Sequence, residues 1–464
     1  MNIEEEMRST QTHQVDDIED AKANSIFEET AVGYKEYREG LHVELSRKDW
    51  LIFEEIELEM VYAGYFFGQY PCGWLVGRFP AQRVLGASCF VWGIMVLILT
   101  QCQTFSSALA VRFIMGIFEA AVTPGLTLMT GFWYTRAEIP LRSCIWYSAL
   151  GWAGIIGSYM SFGIAKLPAD FSPARWELLF YILGGVTCLW AAVIFFVLPD
   201  SPSSAFFLTK YERIIAVKRV AANETGIKNK AYDVKQGLLA FRDPKAILLF
   251  ISIFAAAIPN GVVNSFSTVI IEDMGFSTTK TTELKSVGDA IVIVSLVIGG
   301  TITLNVPNSR LLTSTAANIL CTVAAACLAY LPREEKWSRL VCFWLVNAQS
   351  VGFAVSLVTI SSNMAGYTHR AMANALVFTA YCWGNFAGPF VVKPSQAPEY
   401  KGASVGLLVG YAIKLACHIS LFGYMFIINR RRDRLYGPAD KARSNEAGMQ
   451  DQTEFENKDF RYVL

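Results

Sequence analysis

The sequence predicts an all-α polytopic membrane protein, and three observations lead to this fold class. The chain has 464 residues, of which 53% are hydrophobic and 17% are charged, whereas soluble domains carry about 25% charged residues. Eleven apolar runs approach the roughly 20 residues that a helix needs to cross a bilayer. Two segments of the first half also recur in outline in the second half. Together these features indicate a helical bundle in a membrane.

The eleven apolar runs are spaced along most of the chain and are joined by short connections. They lie at 58–77, 84–104, 106–130, 142–165, 177–198, 246–270, 287–304, 311–331, 339–363, 371–392 and 404–428. Residues 1–57 are polar and acidic, with none of the apolar core of a secretory signal. We expect an acidic N-terminal tail, disordered over about the first 50 residues, and disorder again after about residue 435.

Lysine and arginine are concentrated in alternate connections, which predicts the orientation. Basic residues follow the first and third runs, crowd the 199–245 connector and appear in NRRRDR after the last run. The remaining connections are uncharged, as in QCQTFSSA, or mixed in charge, as in LPREEKWSR. The basic connections should therefore be cytoplasmic, and the glycosylation sequon at Asn223 should stay unmodified.

An internal repeat divides the chain into two homologous halves. RFPAQRVL at 78–85 resembles NVPNSRLL at 305–312, and WYTRAEIPLRSCIWYSALGWAG at 133–154 resembles GYTHRAMANALVFTAYCWGNFAG at 366–388. Two runs precede the Pro307 segment, but only one precedes Pro80, so the first span of a twelve-span plan is expected to be absent. The predicted domains are the tail 1–57, a five-span half 58–198, a cytoplasmic linker 199–245, a six-span half 246–428 and a cytoplasmic tail 429–464.

Four segments carry a more specific resemblance: RFIMGIFEAAVTPG, WYTRAEIPLR, IPNGVVNSFSTVIIEDMGFSTTKTTEL and THRAMANALVFTAYCWGNFAGP. Over about residues 58 to 430 they resemble the fungal allantoate permease family of the major facilitator superfamily, which includes nicotinate and pantothenate permeases. The resemblance implies two pseudo-symmetric halves with about 11 transmembrane helices, twelve minus the first. It also implies a symporter that takes up small organic anions with protons. The loop GRFPAQRVLG departs from the superfamily pattern because it lacks the usual acidic residue.

Arg112 and Glu119 are charged residues inside an apolar run, where a charge costs several kcal/mol unless it faces a cavity or a partner. They are seven residues apart and so project from one face of a helix, about 10 Å apart along its axis. Arg112 can anchor a substrate carboxylate through its guanidinium fork, or it can hold helix packing. Glu119 can carry the coupling proton, or it can be a structural partner of an arginine.

Polar residues in the second half are further candidates for substrate binding. Pro259 and Gly261 are expected to break the sixth run, so that freed carbonyls face a cavity. Asn260 and Asn264 share a helix face there and can hydrogen-bond a polar substrate, or can clamp two helices together. Asn385 with Tyr381, in YCWGNFAGP, offers the same two alternatives.

Several other residues favour structural roles. Asp289 is expected to be solvated or to pair with a loop, and His369 to be solvated in its turn or to make a gating contact. Lys414 is expected to be embedded in the last helix near Cys417 and His418. Gly151, Gly154 and Gly157 predict a close-packing face. The ten cysteines are scattered without a CxxC pair and favour reduced, packed thiols.

These observations favour transport over other functions. The sequence contains no Walker motif, HExxH or GxSxG, so we expect neither an enzyme nor a metal or other cofactor. Forty basic and forty acidic residues give no net charge that would indicate nucleic acid as a partner. The hypothesis is a monomeric, proton-coupled permease for a small organic anion, in the plasma membrane rather than the vacuole or endosome. The alternative is a non-transporting, truncated relic or regulatory paralogue of such a permease.

Overall fold

A computed structural model describes residues 47–168, 171–221, 223, 232–332, 334–392 and 401–464. These residues contain helices and connecting turns but no β-strand. Residues 55–464 form one compact unit, to which the contacts below belong. The predicted disorder of the N-terminal tail falls mainly on residues 1–46, outside the described residues.

Seventeen α-helices and three short 3₁₀ turns make up this part of the chain. The helices are α1 (Arg47–Arg78), α2 (Ala81–Leu99), α3 (Phe105–Glu119), α4 (Val122–Trp133), α5 (Ile139–Tyr147), α6 (Ala149–Ala165), α7 (Arg175–Val197), α8 (Lys210–Ala221), α9 (Val234–Leu239), α10 (Pro244–Asp273), α11 (Thr278–Asn305), α12 (Arg310–Tyr330), α13 (Lys336–Leu345), α14 (Gln349–Asn363), α15 (Tyr367–Ala387), α16 (Lys401–Tyr436) and α17 (Lys441–Met449). The 3₁₀ turns are Pro202–Ser204, Val346–Ala348 and Pro389–Val391.

Eight helical stretches among the described residues are long and apolar enough to cross a membrane. They are α2, α3 with α4, α7, α10, α11, α12, α13 with α14, and α16. The other three predicted spans are also helical but differ in detail. The first belongs to α1, which begins at Arg47 rather than near residue 58. The run 142–165 is divided at Ser148, whose hydroxyl donates to the Ile145 carbonyl at 2.7 Å.

The third of these spans, α15, carries polar residues that face the protein interior. Thr368, His369, Arg370 and Asn374 are all at most 3% exposed. A polar helix is stable in a membrane protein when its polar residues face the bundle. Because these polar residues are buried inside the bundle, α15 can cross the bundle without exposing them to lipid.

Glycines allow the helices of the first half to approach closely. A Cβ atom at Gly64 of α1 would lie 1.9 Å from the Phe113 carbonyl oxygen of α3, and one at Gly116 would lie 2.0 Å from the Val61 carbonyl oxygen. The small-residue face on each helix thus receives the backbone of the other, as is common in membrane helix pairs.

The two halves meet along two seams. On one, α5 and α6 pack against α11 of the second half, and α5 also packs against α14. On the other, α1 contacts α15: the Tyr70 hydroxyl lies 3.1 Å from the Thr379 hydroxyl, and the Phe66 and Trp383 ring centroids are 5.6 Å apart. These seams bring residues of both halves to the centre of the bundle.

The connections predicted to be basic and cytoplasmic meet at one end of the bundle. The Ala81 amide donates to Asp200 at 2.6 Å, and Arg219 of the linker pairs with Glu138. The Asn223 side chain, 3% exposed, accepts from the Arg136 amide at 2.7 Å and donates to the Tyr134 carbonyl at 2.9 Å. The linker is therefore joined to the turn before α5 at the same end of the bundle.

The prediction of a disordered C-terminal tail is wrong for residues 436–464. Helix α16 continues to Tyr436, α17 follows, and the last residues pack against the bundle, with Phe460 fully buried and Tyr462 4% exposed. The amides of Tyr462 and Val463 donate to the side-chain oxygens of Asn429 and Asn363 at 2.8 and 2.7 Å. Arg136 of the first half lies over the Phe460 ring, 4.8 Å from its centroid.

A buried ionic cluster fixes this tail. The Lys245 ammonium lies 2.8 Å from Glu454 and 3.0 Å from Asp243, and all three side chains are fully buried. His369 is also fully buried, with ring nitrogens 3.4 Å from Asp243 and 3.5 Å from Glu454. The expectation that His369 is solvated is therefore wrong, because its partner in the tail is distant in sequence.

Candidate functional site

Glu119 ends α3 at an interruption within the predicted run 106–130. Helix α4 begins after a two-residue gap and carries Pro124 near its start, where a missing backbone N–H costs little. The second half has a similar interruption, because the 3₁₀ turn Val346–Ala348 immediately precedes Gln349. Departures from α-helical geometry inside a long helix often mark hinges or functional positions.

The surroundings of Glu119 come from both halves. Its carboxylate lies within electrostatic range of Tyr62 and Tyr65 of α1 and of Tyr381 and Cys382 of α15. Among the described residues, no basic side chain forms an ion pair with it. The carboxyl group therefore lies in an aromatic environment at the centre of the bundle.

Arg112 is half-buried two helical turns before Glu119. No ion pair joins the two side chains within the described part of the chain, in agreement with the separation of about 10 Å expected for seven helical residues. Arg112 also lines neither of the two cavities described below. The structure thus places Glu119, but not Arg112, beside the other predicted site residues.

A chain of amide groups connects four helices of the second half. The Asn260 side chain of α10 donates to the side-chain oxygen of Asn385 on α15 at 2.9 Å and accepts from the side-chain amide of Gln349 on α14 at 3.0 Å. Asn385 donates to the Tyr381 backbone carbonyl at 2.9 Å. Lys414 of α16 donates to the backbone and side-chain oxygens of Gln349 at 2.9 and 3.3 Å. The structure therefore brings Asn260, Tyr381 and Asn385 together, with Asn260 and Asn385 joined by a hydrogen bond between helices.

The expected break of the sixth run is wrong, because α10 continues through Pro259. Proline cannot donate to the carbonyl four residues earlier, which belongs to Ala255. A Cβ atom at Gly410 of α16 would lie 2.4 Å from this carbonyl oxygen. The affected backbone group thus faces a neighbouring helix at Gly410 rather than a cavity.

Asn264 lies one turn after Asn260 and is exposed to a polar cavity of about 200 Å³ between the halves. The lining comes from α6, α10, α11, α13 and α14. It consists of Leu150, Ala153, Gly154, Asn260, Val263, Asn264, Ser267, Ile271, Lys285, Gly288, Asp289, Val292, Phe343, Trp344, Asn347, Gln349 and Ser350. Amide groups of asparagine and glutamine thus face a space of the size of a small metabolite.

Asp289 faces this cavity, contrary to the expectation that it is solvated or pairs with a loop. A Cβ atom at Gly154 of α6 would lie 2.6 Å from the Asp289 carboxyl carbon, and one at Gly151 would lie 2.6 Å from its backbone oxygen. These two glycines form the predicted close-packing face, but Gly157 has open space beside it. The carboxyl group therefore lies at the contact between the two halves.

A second cavity, of about 290 Å³, lies beside the linker between α1, α4 and α15. Its aromatic lining includes Tyr70, Trp74, Tyr232 and Tyr367, and Arg78 lies among the lining residues. It contains none of the predicted binding residues.

Two further groups of polar residues have structural partners. The His418 ring contacts the Ser314 hydroxyl at 2.7 Å and the Ser356 hydroxyl at 3.3 Å. Asp243, His369 and Glu454 have ligand atoms within 4.8 Å of one another, as a metal site requires. The Lys245 ammonium already lies between these carboxylates, so the charges support an ion-pair cluster rather than a cation site.

Sequence reasoning missed Lys285 and Gln349. Lys285 lies just outside the predicted run 287–304, whereas Asp289, one turn later, lies inside it. The end of the predicted run therefore separated two residues that share a helix face. Gln349 lies inside an apolar run and is a single amide, with no pattern around it to indicate its contacts. A search for polar pairs four residues apart across span boundaries would have found the first.

A bundle of two helical repeats with a polar cavity between them defines a multi-pass membrane transporter. Residues 58–389 match the Major Facilitator Superfamily, and the chain belongs to this superfamily. The fold class and the resemblance to fungal permeases are therefore confirmed.

Named relatives support the same assignment. The chain is 34% identical to an uncharacterised transporter of Schizosaccharomyces pombe over 408 residues, 87% of this chain and 77% of the relative. It is 28% identical to the allantoate permease of Saccharomyces cerevisiae over 394 residues, 82% of this chain and 72% of the relative. The proton:xylose symporter XylE bound to 6-bromo-6-deoxy-D-glucose is similar in fold, with a TM-score of 0.67 at 14% identity, covering 82% of this chain and 88% of that one.

Proposed function

We propose that this protein is a proton-coupled permease that takes up a small organic anion by alternating access. The observation that carries the proposal is the cavity of about 200 Å³ between the halves, whose polar lining includes amides, one lysine and one aspartate. Amides hydrogen-bond polar substrates without a fixed charge, and an ammonium group attracts a carboxylate. The similarity to the allantoate permease supports an anion with nitrogen-bearing polar groups as substrate.

The predicted residues divide into two roles. Asn264 offers its amide to the substrate in the cavity, while Asn260 is held in place by Asn385 and Gln349. Tyr381 lies close to Asn260, Asn385 and Glu119. A ligand that displaces Asn260 would therefore also displace the Tyr381 side chain. This movement would change the surroundings of the Glu119 carboxyl group, which we propose carries the coupling proton.

Alternating access requires the two seams between the halves to open in turn. Tyr62 of α1 and Tyr381 of α15 have ring centroids 6.3 Å apart across one seam, next to Glu119. A neutral, protonated Glu119 can remain beside these rings at lower cost than a carboxylate, because burial penalises the charged form. Protonation thus favours closure around this point, and deprotonation favours hydration.

The test is uptake of labelled allantoate, nicotinate and pantothenate by proteoliposomes that contain the full chain, with and without an inward proton gradient. We expect Glu119→Gln to abolish gradient-driven accumulation while retaining exchange, because glutamine cannot release a proton. We expect Arg112→Lys, which keeps the charge but loses the fork, to retain carboxylate uptake, because Arg112 lines neither cavity. Exposed controls are Glu446→Gln and Arg434→Lys, which should transport like the parent.

Three results would contradict the proposal in different ways. If Glu119→Gln reaches the bilayer and transports like the parent, Glu119 is structural, and loss of carboxylate uptake in Arg112→Lys would return the carboxylate contact to Arg112. Gradient-independent uptake by the parent would remove proton coupling. A parent that moves none of the anions would favour the alternative of a non-transporting paralogue. Localisation of a tagged chain to the plasma membrane, rather than the vacuole or endosome, completes the proposal.

A further inference from the structure

We propose that Lys285 and Asp289 form a linked pair in which Lys285 receives the substrate carboxylate and the protonation of Asp289 sets the affinity for it. This inference rests on the proposed function and adds the site that captures the anion. It assigns to the pair a role in binding, distinct from the role of Glu119 in accumulation.

The two residues are one turn apart on α11, so their side chains lie on the same helix face. Both are half-buried and both line the cavity of about 200 Å³. Lys285 lies close enough to interact electrostatically with Asp289, but no ion pair within 4 Å joins them or joins Lys285 to another described residue. An anion in the cavity can therefore approach the ammonium without displacing a bound carboxylate.

The remaining lining residues carry no charge. Those facing Asp289 and Lys285 are uncharged on α6 (Leu150, Ala153, Gly154), on α10 (Asn260, Val263, Asn264, Ser267, Ile271), on α13 (Phe343, Trp344), in the 3₁₀ turn Val346–Ala348 (Asn347) and on α14 (Gln349, Ser350). On α16, Lys414 lies behind this lining and is bonded to Gln349. Lys285 and Asp289 are therefore the two charges that the described lining presents to a ligand.

This isolation makes the charge of Asp289 decisive for anion binding. An ionised Asp289 offsets the field of Lys285 and repels an incoming carboxylate, and such interactions are strengthened away from bulk water. When Asp289 takes a proton from the water in the cavity, the repulsion ends and the attraction of Lys285 remains. By linkage, a bound anion raises the proton affinity of Asp289 by the same factor.

The position of Asp289 also connects its charge to the movement of the halves. Its carboxyl group packs on Gly154 of α6, where no side chain separates it from the other half. Separation of α6 from α11 would expose the carboxylate to water, and closure would remove it from water. Since burial favours the neutral form of a carboxyl group, closure around the anion favours protonated Asp289 beside the charged Lys285.

The experiment measures KM and kcat for labelled allantoate, nicotinate and pantothenate in proteoliposomes between about pH 5 and about pH 8. For whichever anion the parent moves, its KM should rise about tenfold over this range. Asp289→Asn should give a low KM that no longer depends on pH, because asparagine mimics the protonated acid. Lys285→Gln should raise KM at least about tenfold at every pH with little change in kcat, and Lys285→Arg should restore it.

Glu283→Gln is the matched control, because Glu283 is an exposed acid on the same helix. It should keep the KM of the parent at every pH. An unchanged pH profile in Asp289→Asn, or a parental KM in Lys285→Gln, would overturn the inference while leaving the proposed function intact. A parent that moves none of the anions overturns both, and gradient-independent uptake with the expected KM changes overturns only proton-driven uptake.

Discussion

The docking of the C-terminal tail depends on one buried carboxylate. Glu454 is fully buried, lies 2.8 Å from the Lys245 ammonium and accepts from the Ala365 amide at 2.9 Å. We predict that Glu454→Gln releases residues 450–464 from the bundle. The substitution keeps the volume but leaves Lys245 with Asp243 as its one buried counter-charge.

The size of the effect follows from the geometry of the cluster. Removal of one partner of a buried ion pair costs about 3–5 kcal/mol. Burial of a large apolar side chain contributes about 1.5–3 kcal/mol, so the loss is similar to the stabilisation from Phe460 and Tyr462 together. At about 1.4 kcal/mol per factor of ten, the docking equilibrium should weaken at least about 100-fold.

Hydrogen exchange of the amides in 450–464, followed by mass spectrometry of the detergent-solubilised protein, measures this equilibrium. The amides of Tyr462 and Val463, which donate to Asn429 and Asn363, should lose protection by the same factor. Glu446→Gln, an exposed acid on α17, is the control and should exchange like the parent. Parental protection of Tyr462 and Val463 in Glu454→Gln would refute the role of the cluster.

Three further predictions concern the same structure. Burial alone would raise the pKa of Glu454, but the positive charges of Lys245 and His369 lower it overall. Burial alone would lower the pKa of His369, but the carboxylates of Asp243 and Glu454 raise it to about 9. The stabilisation of the docked tail by Glu454 is therefore lost as the pH falls below the ordinary pKa of 4.5, and the stabilisation by His369 is lost as the pH rises from 6.5 to about 9. The protection factors of the amides in 450–464, which correct for the faster intrinsic exchange at high pH, should therefore fall on alkalinisation, but not in His369→Gln. Asn223 should carry no glycan, since the oxygen and the nitrogen of its buried side-chain amide are both hydrogen-bonded. A mass shift on glycosidase treatment would contradict this. Gly64→Ala should destabilise the bundle by about 1–3 kcal/mol or more, seen as a lower Tm in detergent, because the added Cβ would clash with the backbone of α3. Gly73→Ala is the control and should not lower the Tm, because Gly73 has open space beside it. Equal Tm values for the two variants would refute the close contact.

The sequence alone determined the properties that depend on local composition and spacing. Apolar length predicts a membrane helix because each span must satisfy its own backbone hydrogen bonds, so the helical class and most spans could be read directly. The charge pattern placed the linker and the turn before α5 at one end, where Asn223 now joins them. Spacing also placed Asn260 and Asn264 on one face, and Tyr381 close to Asn385.

The tertiary structure decided which of these residues meet. Asp289 and Gly154 belong to different halves, and Lys245 and Glu454 are separated by 209 residues. A charged residue near a span boundary or in a tail has the same local pattern whether it is solvated or buried against a partner. The two cases differ in the cost of desolvating the charge and in the opposing charge that offsets this cost. Both depend on contacts that local spacing does not encode.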